Sequence, residues 1–473
     1  MAIWWISDAI PMAATALVPL VLFPLTGIMS GKDLAPVYTN YIIFLFIGGF
    51  MIALAMERWN LHRRIALFIV KAVGGSPALM VLGFMFATAF LSMWISNTAT
   101  TIMMVAIGLA VIKSTESTCG KENTGKFSVA LLLGIAYSAS VGGMATLVGT
   151  PPNLALSRIF EMTFPDAEAA GVALSFGQWM LFGVPVALIM LCIVWLVLTK
   201  VFYRPDKSLK ITREIIAEEQ EKLGKITYEE VIVLSVFILT ALGWVFRKDL
   251  IIGDFTLPGW SGLVPFGKFI DDGTVAIAMA LLLFIIPAKR KDESEGYGSI
   301  LDFGVFSKLP WHIVLLLSGG FALAKGVQTS GLSTWIGGNF SGLSDAPVVV
   351  LVMGICGILT FLTELTSNTA TTEMILPILA SIAVEINLNP LLLMIPATIS
   401  ASCAFMMPVA TAPNAIVFGS GRIKIIQMVK AGIVLNLIGL IVITVMFLLL
   451  GPLVFDIDTK AFPDWAKTIH TEG

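Results

Sequence analysis

The sequence predicts an all-α polytopic membrane protein made of two inverted repeats, each with a re-entrant helical hairpin and a broken transmembrane helix. Three observations carry that reading. Of the 473 residues, 57% are apolar and only 13% charged, against roughly 25% charged in soluble domains. Ser96-Asn97-Thr98-Ala99-Thr100-Thr101 returns unchanged as Ser367-Asn368-Thr369-Ala370-Thr371-Thr372, 271 residues later. Two further markers recur in the same order. Gly48-Gly49-Phe50 reappears as Gly319-Gly320-Phe321 at the same offset, and Gly149-Thr150-Pro151-Pro152-Asn153 is answered by Ala410-Thr411-Ala412-Pro413-Asn414 at an offset of 261. One duplication with a single ten-residue length change accounts for all three.

The composition also excludes other classes. A net charge of -2 argues against a nucleic-acid partner. His62, His312 and His470, with Cys119, Cys192, Cys356 and Cys403, show neither metal-ligand spacing nor a disulfide framework. The chain has room for about ten membrane spans.

Residues 1–5 read like the last turn of a helix, so we expect the chain to start inside a longer protein. Asp8 reads as a helix cap. Spans follow at 12–28 and 41–56, then an amphipathic stretch at 61–73 carrying Arg63, Arg64 and Lys71, placed at the membrane interface. The first hairpin pairs 79–95 with 98–112 around the Ser-Asn-Thr break. Its second arm, at 15 residues, is roughly 22 Å of helix, short of the ~30 Å hydrocarbon core. Two full spans joined by a buried kink is the alternative. The first broken helix is expected at 127–156, a clean span at 178–202, and a short solvated helix in the charged loop 203–230. The second half brings spans at 231–246, 273–287 and 311–323, then the second hairpin around Ser367. A broken helix at 391–418 and a span at 431–453 complete it. We divide the chain into a first repeat, 1–205, a cytoplasmic linker, 206–228, and a second repeat, 229–473.

Assigning the loops at 57–75, 113–126, 200–230, 288–308 and 419–430 to the cytoplasm gives that side 21 of the 29 Lys and Arg. This is the positive-inside bias of a multi-pass plasma (inner) membrane protein, and it puts the C-terminus outside. Five crossings separate the two Gly-Gly-Phe spans, so the halves face opposite ways. Inverted repeats suit alternating access around a midplane site.

No Lys or Arg occurs at 72–112, 127–153 or 326–421, so both hairpins and both broken helices lack basic side chains. Four half-helix N-termini follow the four interruptions, each a partial positive end. Their N–H groups and the Thr98 and Thr369 hydroxyls can donate to an oxyanion. The preceding carbonyls and the Asn97 and Asn368 side-chain oxygens can hold a hard cation. Sodium is the natural choice, because a buried anion without lysine or arginine needs a compensating cation. Two equivalent tips suit a small divalent anion with two similar ends, such as a four- to six-carbon dicarboxylate, or a tricarboxylate using two of its groups. Pro151, Pro152 and Pro413 join the binding set by their placement beside paired Thr and Asn. Glu364 and Glu373 flank the second motif; bonds to nearby backbone and a cation or proton role are both open.

With Trp4-Trp5-Ile6-Ser7-Asp8-Ala9-Ile10-Pro11, these motifs resemble the divalent anion:sodium symporter family over essentially the whole chain. The resemblance implies a di- or tricarboxylate importer coupled to sodium ions. A sodium-independent dicarboxylate exchanger and a sodium:sulfate symporter are the alternatives. It places one sodium among Ser92, Ser96, Asn97 and Gly149, and a second among Thr363, Thr366, Asn368 and Ala410. Thr98, Thr150, Thr369 and Thr411 would contact substrate, with Asn97 and Asn368. A homodimer working by an elevator motion is also implied, with 61–73 as an arm between scaffold and transport domain. Further helix usually precedes the Trp-Trp segment in that family.

The chain is not expected to be an enzyme. An intramembrane hydrolase built on Ser96 or Ser367 would need a dyad partner, and His62 and His312 lie outside both broken segments. An exchanger would be favoured by basic residues in place of the cation sites, and none is present.

Overall fold

A computed structural model describes residues 1–7, 9–73, 75–209, 214–252, 255–289, 298–459 and 461–470; Asp8 lies outside them. The chain is helical almost throughout, and polar caps mark where each helix starts. Ser76 accepts from the Leu79 N–H ahead of Pro77. Ser175 with Gln178, and Thr227 with Glu230, form reciprocal capping boxes. Among the described residues six helices are long and apolar enough to cross a membrane. A seventh results when Trp311–Thr329 is joined to Leu332–Gly338, which bends away by 68°. The other expected crossings are the shorter or interrupted helices that build the hairpins and breaks.

The first hairpin is helix Pro77–Ser92, a short turn, and helix Asn97–Cys119. Its second arm is therefore 23 residues, not the 15 expected. The helix runs on through polar Lys113–Cys119, because polarity does not end a helix; Gly120, at φ 83°, does. At about 34 Å this arm is long enough to span, so its length no longer distinguishes a re-entrant arm from a full crossing. The first broken helix likewise starts early, as Lys121–Gly143, and resumes as Pro151–Thr163. In the second half, Val348–Leu362 and Asn368–Glu385 form the hairpin, and Leu391–Ala401 and Ala412–Gly419 the broken helix. The expected single span at 12–28 is instead Met12–Thr15 and Val18–Thr26, separated at Ala16-Leu17. The last span is longer than expected, Ile425–Phe455.

The amphipathic stretch is helix Leu61–Val73, with Leu61, Ala66, Leu67 and Val70 buried. Its basic face carries the linker rather than open solvent. Arg63 pairs with Glu219 and Lys71 with Gln220, both on helix Glu214–Leu223. Arg64 binds the Glu230 carboxylate and caps the linker helix through the carbonyls of Leu223 and Gly224. At the 271 offset from Leu61 stands Leu332, the start of the bent-off helix Leu332–Gly338. The second half thus has a counterpart of this helix, which its seven residues hid from periodicity.

The two halves interleave. Helix Pro151–Thr163 of the first packs on Asn97's counterpart helix Asn368–Glu385, and Ala412–Gly419 of the second packs on Asn97–Cys119. Arg422 closes the second contact with a two-pronged ion pair to Glu116, at 2.6 and 3.1 Å.

If the halves face opposite ways, single cysteines at Thr118 and Asn387, in a background with all four native cysteines replaced by serine, should be labelled from opposite faces. Thr118 should react with an impermeant maleimide only from the cytoplasm and Asn387 only from outside. Labelling of both from one face would contradict the inverted arrangement.

Candidate functional site

Each hairpin turn is locked by a hydroxyl one turn before its asparagine. Ser92 Oγ stands 2.5 Å from Asn97 Oδ1 and 2.7 Å from the Ala139 carbonyl oxygen. Thr363 Oγ1 stands 2.5 Å from Asn368 Oδ1 and 2.9 Å from the Ala401 carbonyl oxygen. Both hydroxyl residues are fully buried. A hydroxyl has one proton to give, so one oxygen of each pair is left facing another lone pair. Such a cluster is electron-rich, and unwound carbonyls beside half-helix ends are where transporters hold sodium.

The breaks are held by matching amides. Asn153 Nδ2 donates to the Gly143 and Thr146 carbonyls at 3.2 and 2.7 Å. Asn414 Nδ2 donates to Ala404 and Met407, each 261 positions on, at 2.9 and 3.0 Å. The cross-brace between break and hairpin differs in kind. Thr146 Oγ1 donates to the Met93 carbonyl at 2.5 Å and accepts from the Gly149 N–H at 3.0 Å. In the second half those positions are Met407 and Glu364, and the polarity reverses. The Glu364 carboxylate accepts from the Met406 and Met407 N–H groups at 2.8 and 2.9 Å, and from Asn436 Nδ2 at 2.7 Å. Glu364 therefore bonds to backbone, the plainer of its two readings. Glu373 is fully buried against Gly320, where a Cβ would stand 2.0 Å from its Cδ, and neither carboxylate oxygen has a hydrogen-bond partner.

All four half-helix N-termini meet at one cavity of about 480 Å³. Asn97 and Thr98, Thr150 and Pro151, Asn368 and Thr369, and Thr411 and Pro413 line it. So do Ser96, Gly149, Thr366 and Ala410 from the expected sodium sets, whereas Ser92 and Thr363 stand behind Asn97 and Asn368. Pro152 is buried outside the lining. No charged side chain lines the cavity among the described residues. Its electrostatics come from the four helix ends, each worth up to about half a positive charge. A methyl placed on Gly143 would stand 3.0 Å from both Asn97 Oδ1 and the Gly149 carbonyl oxygen. The Asn97 amide nitrogen stands as near, at 3.1 Å, so the missing side chain lets the whole Asn97 amide and the Gly149 carbonyl pack on the glycine.

Sequence reading missed several members. Trp5, Met12, Phe46, Phe50 and Ile313 supply an apolar wall; only Phe50 belonged to a repeated marker. Ser140 and Ser402 also line the cavity. They are related by an offset of 262, which falls between the two offsets that the motifs define, so self-comparison passes over them.

Residues 1–457 match the profile of the sodium:sulfate symporter transmembrane region. The sodium-dependent dicarboxylate transporter SdcS of Staphylococcus saprophyticus is 43% identical over 468 residues, covering 98% of this chain and 86% of the relative. SdcS of Staphylococcus aureus strain USA300 is 44% identical over 462 residues, covering 97% and 85%. Two solved structures share the fold at 13% identity. The Alcanivorax borkumensis YdaH transporter, whose report describes an unusual topology, aligns with a TM-score of 0.58 over 93% of this chain and 90% of its own. Neisseria gonorrhoeae MtrF, described among antimetabolite efflux pumps, aligns with 0.56 over 91% and 83%.

Gly149 tests how tightly the first break is built. A Cβ there would stand 2.5 Å from the Gly143 carbonyl oxygen, whereas the matched position, Ala410, already carries one. Gly149→Ala should cost about 1–3 kcal/mol and lower the melting temperature in detergent. Ala410→Gly should cost no more than about 1 kcal/mol. Equal melting temperatures for the two variants would contradict this geometry.

Proposed function

The chain belongs to the sodium:sulfate symporter family, and from that premise we propose that it imports small dicarboxylates, or tricarboxylates through two of their carboxylates, together with sodium. The observation that carries this reading is the convergence of four helix N-termini on a cavity without basic side chains, backed by two oxygen clusters. The N-termini and the Thr98, Thr150, Thr369 and Thr411 hydroxyls supply donors for the two carboxylates. Sodium ions among Ser92, Ser96, Asn97 and Gly149, and among Thr363, Thr366, Asn368 and Ala410, neutralise a divalent anion. Without them, burying its charge in hydrocarbon would be prohibitive. The relatives named as sodium-dependent dicarboxylate transporters favour this over exchange or sulfate transport.

The wider reading follows the same line. Repeats at 1–205 and 229–473, joined by 206–228, face opposite ways, with the charged loops in the cytoplasm and the C-terminus outside. A homodimer holds the scaffold still while the site-bearing helices move as an elevator. The arm Leu61–Val73, stapled to the linker by Arg63 and Arg64, connects the two bodies.

Uptake into proteoliposomes tests the function. Concentrative succinate uptake should vanish when external sodium is replaced by choline or potassium. Uptake that persists without sodium and requires internal dicarboxylate would establish exchange instead, and uptake of sulfate alone would establish the other alternative.

Asparagine and threonine variants separate cation from anion contacts. Asn97→Asp or Asn368→Asp keeps an oxygen for sodium but removes the amide donor and places a negative charge beside the substrate. Like charges in a poorly solvated site cost several kcal/mol, so both variants should abolish uptake. Thr98→Ala or Thr369→Ala removes one neutral hydrogen bond of about 1 kcal/mol. Those variants should raise the half-saturation concentration tenfold or less and stay sodium-dependent. Wild-type-like uptake by either Asp variant would remove that asparagine from the anion site.

A further inference from the structure

Of the three repeated markers, Gly48-Gly49-Phe50 and Gly319-Gly320-Phe321 contain glycines that do not line the cavity. The first glycine of each pair behaves alike in both halves. A Cβ on Gly48 would stand 2.7 Å from Ala276 of helix Asp272–Ile285, and one on Gly319 would stand 2.6 Å from Ala16. Each lets a neighbouring segment approach the backbone closely. The second glycine of each pair does not behave alike. Gly320 is buried, and a Cβ there would fall on the carboxyl carbon of Glu373. Gly49 is only half-buried, and a Cβ there would meet nothing nearer than Trp244 and Val148, at 3.6 and 3.8 Å.

What covers Gly320 is one face of the second hairpin helix, Asn368–Glu385, which packs along Trp311–Thr329. On that face Thr369, Glu373 and Pro377 are all buried, with Glu373 directly on the glycine. The matched face of the first hairpin, 271 positions earlier, is Thr98, Ile102 and Ala106 on Asn97–Cys119. All three are exposed, Ile102 at 57%. The cavity lies between that hairpin and its own Gly-Gly span. Asn97 and Thr98 line it from one side, Phe46 and Phe50 of helix Tyr41–Arg58 from the other, and Val148 beside Gly49 joins them. One hairpin is thus docked on its glycine while the other stands off from its own. In inverted repeats, exchanging two such arrangements between the halves gives the opposite-facing state. We infer that Gly49 is the seat on which Ile102 docks in a second conformation, reached as Glu373 leaves Gly320. The inference rests on the alternating movement proposed above and names the surfaces which that movement exchanges. Glycine is needed at both seats because a hairpin helix lies directly on the backbone there, in one state or the other.

Alanine variants separate the two seats. Gly49→Ala adds its methyl where this conformation has room, so the melting temperature in detergent should hold or rise, as alanine favours a helix. The same variant should cut the maximal rate of sodium-driven succinate uptake in proteoliposomes about tenfold or more, because overpacking blocks the second conformation. Gly320→Ala sets its methyl against Glu373 here and should lower the melting temperature. Ile102→Ala clears the Gly49 seat and should restore most of the uptake to Gly49→Ala, although Ile102 has no atom within 4 Å of that methyl in this state. The contact itself is read from Gly49→Cys with Ile102→Cys, in the background with all four native cysteines replaced by serine. Docking as close as that of Glu373 on Gly320 brings the two thiols within disulfide reach. Oxidation with copper phenanthroline should consume both thiols and stop uptake, and reductant should restore it. Thiols that stay free in every combination of sodium and succinate overturn the proposal. So does wild-type uptake by Gly49→Ala, a fall in its melting temperature equal to that of Gly320→Ala, or a loss that Ile102→Ala does not relieve. Failure of the sodium-dicarboxylate reading would look different: wild type would take up no succinate with sodium, while the disulfide would still form.

Discussion

Ser92 and Thr363 each hold three elements together with a single hydroxyl. On one side is the arm of a hairpin, on another the asparagine at its tip, on the third a carbonyl in the facing broken helix. One proton between two acceptor oxygens leaves an excess of lone pairs, which is where we propose that a cation sits. The asparagine is also the first residue of the helix that follows, so the same contact brings that helix end to the cavity. The proposed anion donors and cation acceptors are thus placed by one contact in each half.

Much of this was legible from residue identities. A polar hexapeptide repeated inside apolar surroundings marks a place where backbone groups are unpaired in the membrane; it located the two hairpin tips, and the paired Thr-Pro-Asn markers located the two breaks. The equivalence of the halves was also legible, and the structure shows it in the break amides: Asn153 and Asn414 reach carbonyls at matched positions. Helix ends were less so. Lys113 to Cys119 stays helical because a solvated helix end needs a stop signal, not a change in polarity, and Gly120 is that signal. The apolar wall of Trp5, Met12, Phe46 and Ile313 was invisible because a bulky apolar residue in a membrane helix looks alike facing lipid, core or cavity. Ser140 and Ser402 fell between the two offsets. Nine of the ten residues by which the halves differ lie between the hairpin tip and these serines, since the offset is 271 at Asn97 and Asn368 but 262 at Ala139 and Ala401.

The halves are equivalent in geometry but not in charge. Where the first break is tied to its hairpin by a threonine hydroxyl on a carbonyl, the second is tied by the Glu364 carboxylate on two peptide N–H groups and Asn436. The swap exchanges donor and acceptor between chain segments and leaves the turn the same shape. It also leaves a carboxylate next to Thr363 alone. Duplication preserves backbone paths through such exchanges, because what must be conserved is the number of satisfied groups, not which residue satisfies them.

The interleaving of the halves bears on how the protein is made. The helix that packs on the first hairpin, Ala412–Gly419, lies near the end of the chain, and Glu116 meets Arg422 306 residues later in sequence. Translation proceeds at about 5–20 residues per second, so the first hairpin waits tens of seconds in the bilayer before its partner emerges. Through that interval the hairpin lacks the Ala412–Gly419 helix that packs on it. Assembly is therefore a late, long-range event, and a nascent chain halted before residue 412 holds an inserted but unfinished site, an obvious substrate for membrane chaperones and proteases.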